Sequence, residues 1–285
     1  MTNYGRDLQF GWFLDPSDNP ATLIAAARAA DRAGMDLIGI QDHPYNSGHL
    51  DTWTLLSALG AATERVTLFP DVANLPLRGS AMLAKAAATL DLITGGRVEL
   101  GIGSGAFWDA MVAMGATRRT PAESLRATEE AIDVIRLWWS GERAVSYPGE
   151  FYPIKGAHPG PAPAHDMGIW LGALGPKMLE LTGRKGDGWL PSLSYMPPEK
   201  LADAHARIDE GARAAGRDPA SINRIYNLWG NYPVNQWVDQ LTAFTLQYGM
   251  NSYIFGGPPV ESELRRITDE IAPAVREAVT RERGL

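Results

Sequence analysis

The most constraining feature of this chain is its alternation: a short apolar run closed by a turn leads into an Ala- or Leu-rich segment, eight times over. Residues 8–14 read as a strand closed by Asp15 and Pro16, and Pro20 then opens a helix through 33 that stops at Gly34. The unit recurs with strands at 37–43, 67–74 and 97–105 and helices at 51–63, 79–94 and 120–141. A stretch rich in Pro, Gly and His lies between 147 and 167. Strands at 169–174, 189–193, 222–232 and 252–256 then lead to helices at 176–185, 198–215, 236–248 and 261–281. The fourth helix is the best signed, because Thr120 can cap it, Pro121 suits its first position and Glu123 completes a capping box. Strands alternating with helices imply a parallel sheet, and eight units at this length predict a closed (β/α)8 barrel, read as one domain over 1–285. The 147–167 stretch is then an insertion after the fourth helix, a hairpin over the barrel mouth. A doubly wound open sheet is the alternative.

Composition limits the partners. Lys and Arg number 26 against 33 Asp and Glu, a net charge of −7 with no basic footprint for a phosphate backbone, so nucleic acid is not an expected partner. The absence of cysteine removes thiolate chemistry, disulfides and Cys-ligated metal. The polar stretch through Asp7 has no leader pattern, and no window approaches the roughly 20 apolar residues of a membrane helix, so a soluble cytoplasmic protein acting on a small molecule is expected.

A barrel of this type carries its chemistry at the C-terminal ends of the strands. Those ends hold Gln41, Asp42 and His43, then Asp71, Val72, Ala73 and Asn74, then Gly103, Ser104 and Gly105, then Ala173, Leu174 and Gly175. His43 is the best candidate for proton transfer, because an imidazole exchanges a proton near neutral pH and Asp42 can stay ionised beside it. A structural hydrogen-bonding histidine is the equal alternative. His49, His158, His165 and His205 lack metal-ligand spacing and read as surface residues.

Gly101 to Ala106 matches a dinucleotide fingerprint only superficially, since its helix starts far downstream. Its glycines suit close approach of backbone to a flat ligand, or simply a tight turn. Gly175, Pro176 and Lys177 open a helix after the fifth strand, a place suited to a phosphate or to an ordinary connection.

Four segments in this order, Gln41-Asp42-His43, Asp71-Val72-Ala73-Asn74, Arg97 to Gly105, and Gly175-Pro176-Lys177 with Gly183 to Trp189, resemble the bacterial luciferase-like oxidoreductases. Within that superfamily the chain looks most like the branch using the deazaflavin coenzyme F420. The resemblance implies a (β/α)8 barrel, homodimerisation, and hydride transfer between C5 of the coenzyme and a small organic substrate. It places Asp42 and His43 at the ring, with His43 as proton donor or acceptor, and a cis peptide at Asp71-Val72 behind it. It also implies Asn74, Gly103, Ser104 and Gly105 along the ring and ribityl chain, and Ala173, Leu174, Gly175, Pro176 and Lys177 at the phosphate. An FMN-dependent monooxygenase of the same fold is the alternative, and a non-catalytic flavin-binding barrel a third reading. At Ala106 the sugar-phosphate dehydrogenase branch carries a catalytic glutamate, and Tyr45-Asn46-Ser47 lacks that branch's tryptophan, which argues against glucose 6-phosphate as substrate. Trp12, Phe13, Phe107, Trp108, Trp229 and Tyr232, near strand ends, suggest a flat or apolar substrate.

Overall fold

The structure, a computed structural model, describes residues 4–258 and 260–284. Its barrel staves are β1 (Gln9–Leu14), β2 (Leu37–Ile40), β3 (Thr67–Pro70), β4 (Ala73–Asn74) and β5 (Leu100–Gly103) in the first half. A hairpin of β6 (Val145–Tyr147) and β7 (Ile154–Ala157) follows, and then β8 (Ile169–Leu171), β9 (Gly188–Trp189), β10 (Asn223–Trp229) and β11 (Ser252–Gly256). The nine barrel strands run β3-β2-β1-β11-β10-β9-β8-β5-β4, and every pairing between them is parallel. The two edge strands of that order, β3 and β4, are halves of one stave interrupted at Asp71 and Val72, and a parallel bridge from Leu68 to Val98 closes the ring. The expected eight-stave barrel therefore forms, and the open-sheet alternative falls away.

Helices α1 (Pro20–Ala33), α2 (Thr52–Ala62), α3 (Ser80–Thr94), α4 (Trp108–Ala113), α5 (Pro121–Trp139), α6 (Pro176–Lys185), α7 (Pro198–Ala214) and α8 (Val234–Ala243) surround it, with α9 (Glu261–Arg265) and α10 (Ala272–Arg283) at the end. The capping box at α5 is present as read: Thr120 N–H donates to Glu123 Oε2 at 2.7 Å, and Glu123 N–H to Thr120 Oγ1 at 3.3 Å. The last helix departs from the expectation. A π-helical turn at Arg266–Ile271 separates α9 from α10, because Pro273 has no N–H for the regular ladder just after it.

Two cores result. Leu37, Phe69, Trp170, Leu190, Ile225 and Ile254 fill the barrel's interior, with Phe13 and Val72 packed on them. A larger shell between staves and helices includes Phe10, Leu56, Leu83, Ile132, Leu171 and Ile208. Charged groups at the lower turns are fully used: the buried Asp31 carboxylate accepts from the N–H groups of Glu64, Arg65 and Val66, all at 2.8–2.9 Å. Arg97 donates to the carbonyls of Gly60, Thr63, Val66 and Thr94, tying the ends of α2 and α3 to β3.

Two expectations are corrected. The insertion is a hairpin, but it runs along α3 and α5 rather than over the mouth: Glu130 of α5 accepts the N–H groups of Glu150, Phe151 and Tyr152, and Asp91 of α3 holds Ala164 and His165. It meets the rim through Tyr152, whose hydroxyl bonds to Arg119 and to the Leu75 carbonyl, and through Phe151 and Glu150, which contact Arg119 and Arg126. His205 is buried, not superficial. Its position on the inward side of α7 sets the ring edge-on to Trp189 with centroids 5.0 Å apart.

Candidate active site

At the C-terminal end of the staves lies a cavity of about 1220 Å³. Ligand pockets commonly measure roughly 300–1,000 Å³, so this one has room for a large cofactor and a substrate together. Its walls come from the ends of β2, β4, β5 and β8, from the segment that leads into α5, and from the start of α6. Of the residues expected from sequence, Asp42, His43, Val72, Ala73, Asn74, Gly103, Ser104, Gly105, Leu174, Gly175, Pro176 and Lys177 line it. Asp71 and Ala173 do not. Alternation turns Asp71 into the barrel, and Ala173 is buried with its carbonyl accepting from the Trp189 indole at 2.9 Å.

The floor is Val72. A Cβ on Gly103 would stand 2.7 Å from Val72 Cγ2, and one on Gly101 would fall 2.2 Å from the Pro70 carbonyl. Glycine at these places lets the interrupted stave press against its neighbour, and the Asp71–Val72 peptide there is cis.

Asp42 is almost wholly buried and is not paired with His43. Its carboxylate accepts from Arg78 Nε at 2.6 Å, from Arg78 Nη2 at 2.8 Å and from the Asn74 N–H at 2.8 Å. Arg78 also reaches Asp51, the N-cap of α2. Asp42 therefore positions the two walls rather than meeting the ligand as a free acid. The His43 ring, half-buried, is stacked on Tyr45 at 5.4 Å and tilted against Phe107 at 5.7 Å. Burial lowers the pKa of His43 below its ordinary value, with His49 adding to the effect and Asp42 and Asp15 opposing it, so the imidazole is neutral at pH 7.

Opposite, Asn74 is buried with its Oδ1 lacking a partner. The start of α6 has no side-chain cap, and the position where a Cβ on Gly175 would point is open. Lys177 stands beside it, and Arg118, Arg119 and Arg126 line the cavity from the entry to α5. An orphaned amide acceptor, a flat apolar floor, an uncapped helix start and four cations suit a planar, anionic cofactor carrying a phosphate. Arg78, Arg118, Arg119, Arg126, Ser124 and Met178 were not among the residues singled out from sequence. The position of Arg118-Arg119 just before the Thr120 cap places them at the mouth and could have flagged them.

Below the floor, Asp71 Oδ1 accepts from Asn227 Nδ2 at 3.0 Å, and the same amide lies 3.3 Å from Ser192 Oγ. Asp71 Oδ2 has no partner, and burial pushes its carboxyl up to about 7 against the opposing Asn227 bond.

The chain belongs to the luciferase-like monooxygenase family, whose model matches residues 8–229. It is 36% identical over 218 residues to the 5,10-methylenetetrahydromethanopterin reductase of Methanolobus tindarius, covering 76% of this chain and 63% of that protein. It is 31% identical over 239 residues to the F420-dependent glucose-6-phosphate dehydrogenase of Rhodococcus erythropolis, covering 80% of this chain and 69% of that one. A solved F420-dependent secondary alcohol dehydrogenase, in complex with an F420-acetone adduct, has the same fold, with a TM-score of 0.85 at 21% identity over 95% of this chain and all of the other.

Two outcomes follow from this geometry. Arg78→Met leaves Asp42 buried without its cation, and urea unfolding should show a loss of about 3–5 kcal/mol. For Asp71, the folded state holds one proton more than the unfolded chain between about pH 4 and 7, so its contribution to stability falls as pH rises through that window. Asp71→Asn removes the fall: the variant should gain on the wild type as pH rises from 4 to 7, by a few kcal/mol at most, and hold that gain above pH 7. Unfolding curves for both proteins across this range check it.

Proposed function

We propose that this protein is an F420-dependent oxidoreductase that interconverts an alcohol or other reduced carbon centre and its oxidised form, with His43 moving the proton. The observation that carries the reading is the placing of His43, half-buried against Tyr45 and Phe107 with its pKa lowered by burial, in a cavity whose opposite walls hold Asn74, the open start of α6 and four cations. The F420-dependent relatives support the cofactor class.

When bound, the deazaflavin gives or accepts a hydride at C5, and the protein supplies orientation and electrostatics. Val72, Asn74, Gly103, Ser104 and Gly105 would hold the ring system. Gly175, Pro176 and Lys177 would take the phosphate, and Arg119, with Arg118 and Arg126 in their pairs with Asp109 and Glu150, would face the acidic remainder of the coenzyme. His43, uncharged at pH 7, accepts the substrate's hydroxyl proton on an imidazole nitrogen in the oxidation direction and returns it in reduction. Asp42 keeps His43 in place through the backbone that Arg78 and Asn74 fix. The working unit proposed is a cytoplasmic homodimer, consistent with the cysteine-free composition and the exposed Met82, Leu92 and Ile93 on α3. Among the described residues, no helix is long and apolar enough to cross a membrane.

Paired fluorescence titrations of the purified protein with F420 and with FMN test the cofactor. Micromolar or tighter F420 binding with FMN rejected is the expected result, and tight FMN binding alone overturns the reading in favour of an oxygen-using enzyme. His43→Ala should reduce turnover by about 10²–10⁴ with F420 affinity retained. In the oxidation direction kcat/KM should fall as pH drops through a value below 6.5, the ordinary histidine figure, because the base must be unprotonated. Unchanged turnover, or an acid limb retained in the variant, removes His43 from the mechanism.

A further inference from the structure

Phe107 breaks a local rule at the edge of this cavity. Among the described residues it is the one non-glycine with positive φ, at φ 44° and ψ 48°, and it opens α4 without capping it. Left-handed backbone is costly for a bulky L residue and free for glycine, so local stability alone would favour another side chain here. Nor does burial compensate, since Phe107 is 55% exposed.

That backbone delivers the ring to one place. Its centroid lies 5.7 Å from that of His43 and 6.1 Å from that of Tyr45, and the His43 and Tyr45 rings stack at 5.4 Å, so three rings meet around the imidazole. Ala106 and Trp108, the residues flanking Phe107, both line the cavity. Little charge faces this group. Asp42 is spent on Arg78, and Asp15 sits 3.8 Å from His49 Nε2. Of the cavity's cations, Arg118 reaches this side but is paired with Asp109 of α4, while Arg119, Arg126 and Lys177 belong to the walls at the entry to α5 and the start of α6.

We infer that Phe107 and Tyr45 form the substrate-side subsite beside His43 and select an uncharged substrate with an aryl or similarly flat apolar group next to its reacting carbon. This deepens the reading above and rests on it for the reaction. The ring faces give an aryl group offset or edge-on contacts, and the lack of a free cation leaves a substrate carboxylate or phosphate unpaired there. Phe107 is thus a specificity residue, and its left-handed backbone is retained for where it aims the ring.

The test uses three probes against the apoprotein and the F420-loaded protein by saturation-transfer NMR: acetophenone, acetone (the same carbonyl without the ring), and phenylglyoxylate (the same ring with a carboxylate). Acetophenone should bind at least tenfold tighter than either. Phe107→Gly, which relieves the backbone, should keep or raise the melting temperature while abolishing the preference for acetophenone over acetone. Phe107→Leu should retain part of it. Equal binding of acetophenone and acetone by the wild type, in both forms, overturns the inference. So does a Phe107→Gly variant in which the two probes weaken equally, because the ring would then only hold His43. Retained aryl preference in a protein that fails to bind F420 leaves this subsite standing and removes the cofactor reading instead.

Discussion

The candidate site hangs on the contact between Asp42 and Arg78. One carboxylate with 1% exposure receives two guanidinium bonds and the Asn74 N–H, and the same guanidinium reaches on to the N-cap of α2. The end of β2, the second half of the interrupted stave and the start of α2 are thereby fixed to one point. His43 follows Asp42 directly, and Asn74 is itself a donor to the pair, so the two polar groups facing the cavity from these walls take their places from one ion pair. A buried pair of this kind is weak evidence for stability in itself, since desolvation offsets much of its attraction; what it supplies is a single geometry.

The opening above it has a different cause. A barrel of eight staves is normally filled to the top by layers of branched side chains. Here Leu37, Phe69, Trp170, Leu190, Ile225 and Ile254 fill the interior, while glycines at 39, 103, 172 and 256 appear towards the stave ends. Those glycines leave Val72 as the floor and let Asp71, Asn227 and Ser192 form a polar group just beneath it. Substituting larger residues for these glycines would meet Val72, Phe69 or Trp229 within 3.2 Å, so the sites are closed to ordinary side chains by their neighbours.

What could be read in the sequence was whatever depends on local pattern. The alternation, the capping box of α5 and the stave ends carrying His43, Val72, Asn74 and Gly103 are local facts, and the fold puts them where the pattern says. Contacts distant in sequence escaped. Arg78 sits four residues beyond Asn74 in what reads as a loop, and nothing in the string says that it spans 36 residues back to Asp42. Inward rotation of Asp71 follows from strand alternation, yet the interruption of the stave hides which way each of its two residues turns. His205 reads as superficial when the histidines are weighed only for metal-ligand spacing, whereas its spacing from Leu201 and Ile208 puts it on the buried side of α7. The insertion's course was also misjudged, since its anchors, Glu130 and Asp91, are acidic residues of helices that look solvent-facing one residue at a time.

Several departures from ordinary local chemistry lie at or just beneath the cavity, and such departures are expected at functional sites. Phe107 holds left-handed backbone, Asn74 keeps an orphaned oxygen, the start of α6 lacks a cap, and Asp71 is buried without a cation. Elsewhere, buried Asp31 and Asp91 and half-buried Arg97 find several partners each. A second group of unsatisfied atoms lies at the opposite end, where Arg224 and His205 have nitrogens without partners. Arg224 nevertheless keeps Asp209 at 2.7 Å and lies over the Tyr4 ring at 4.9 Å, which together hold the charge. The difference is what the open groups face. Asn74 and the start of α6 border a space of the size and chemistry of a cofactor with its substrate, so a ligand can complete their bonding; the open nitrogens of Arg224 and His205 are enclosed where α7 packs on the barrel and face no such space.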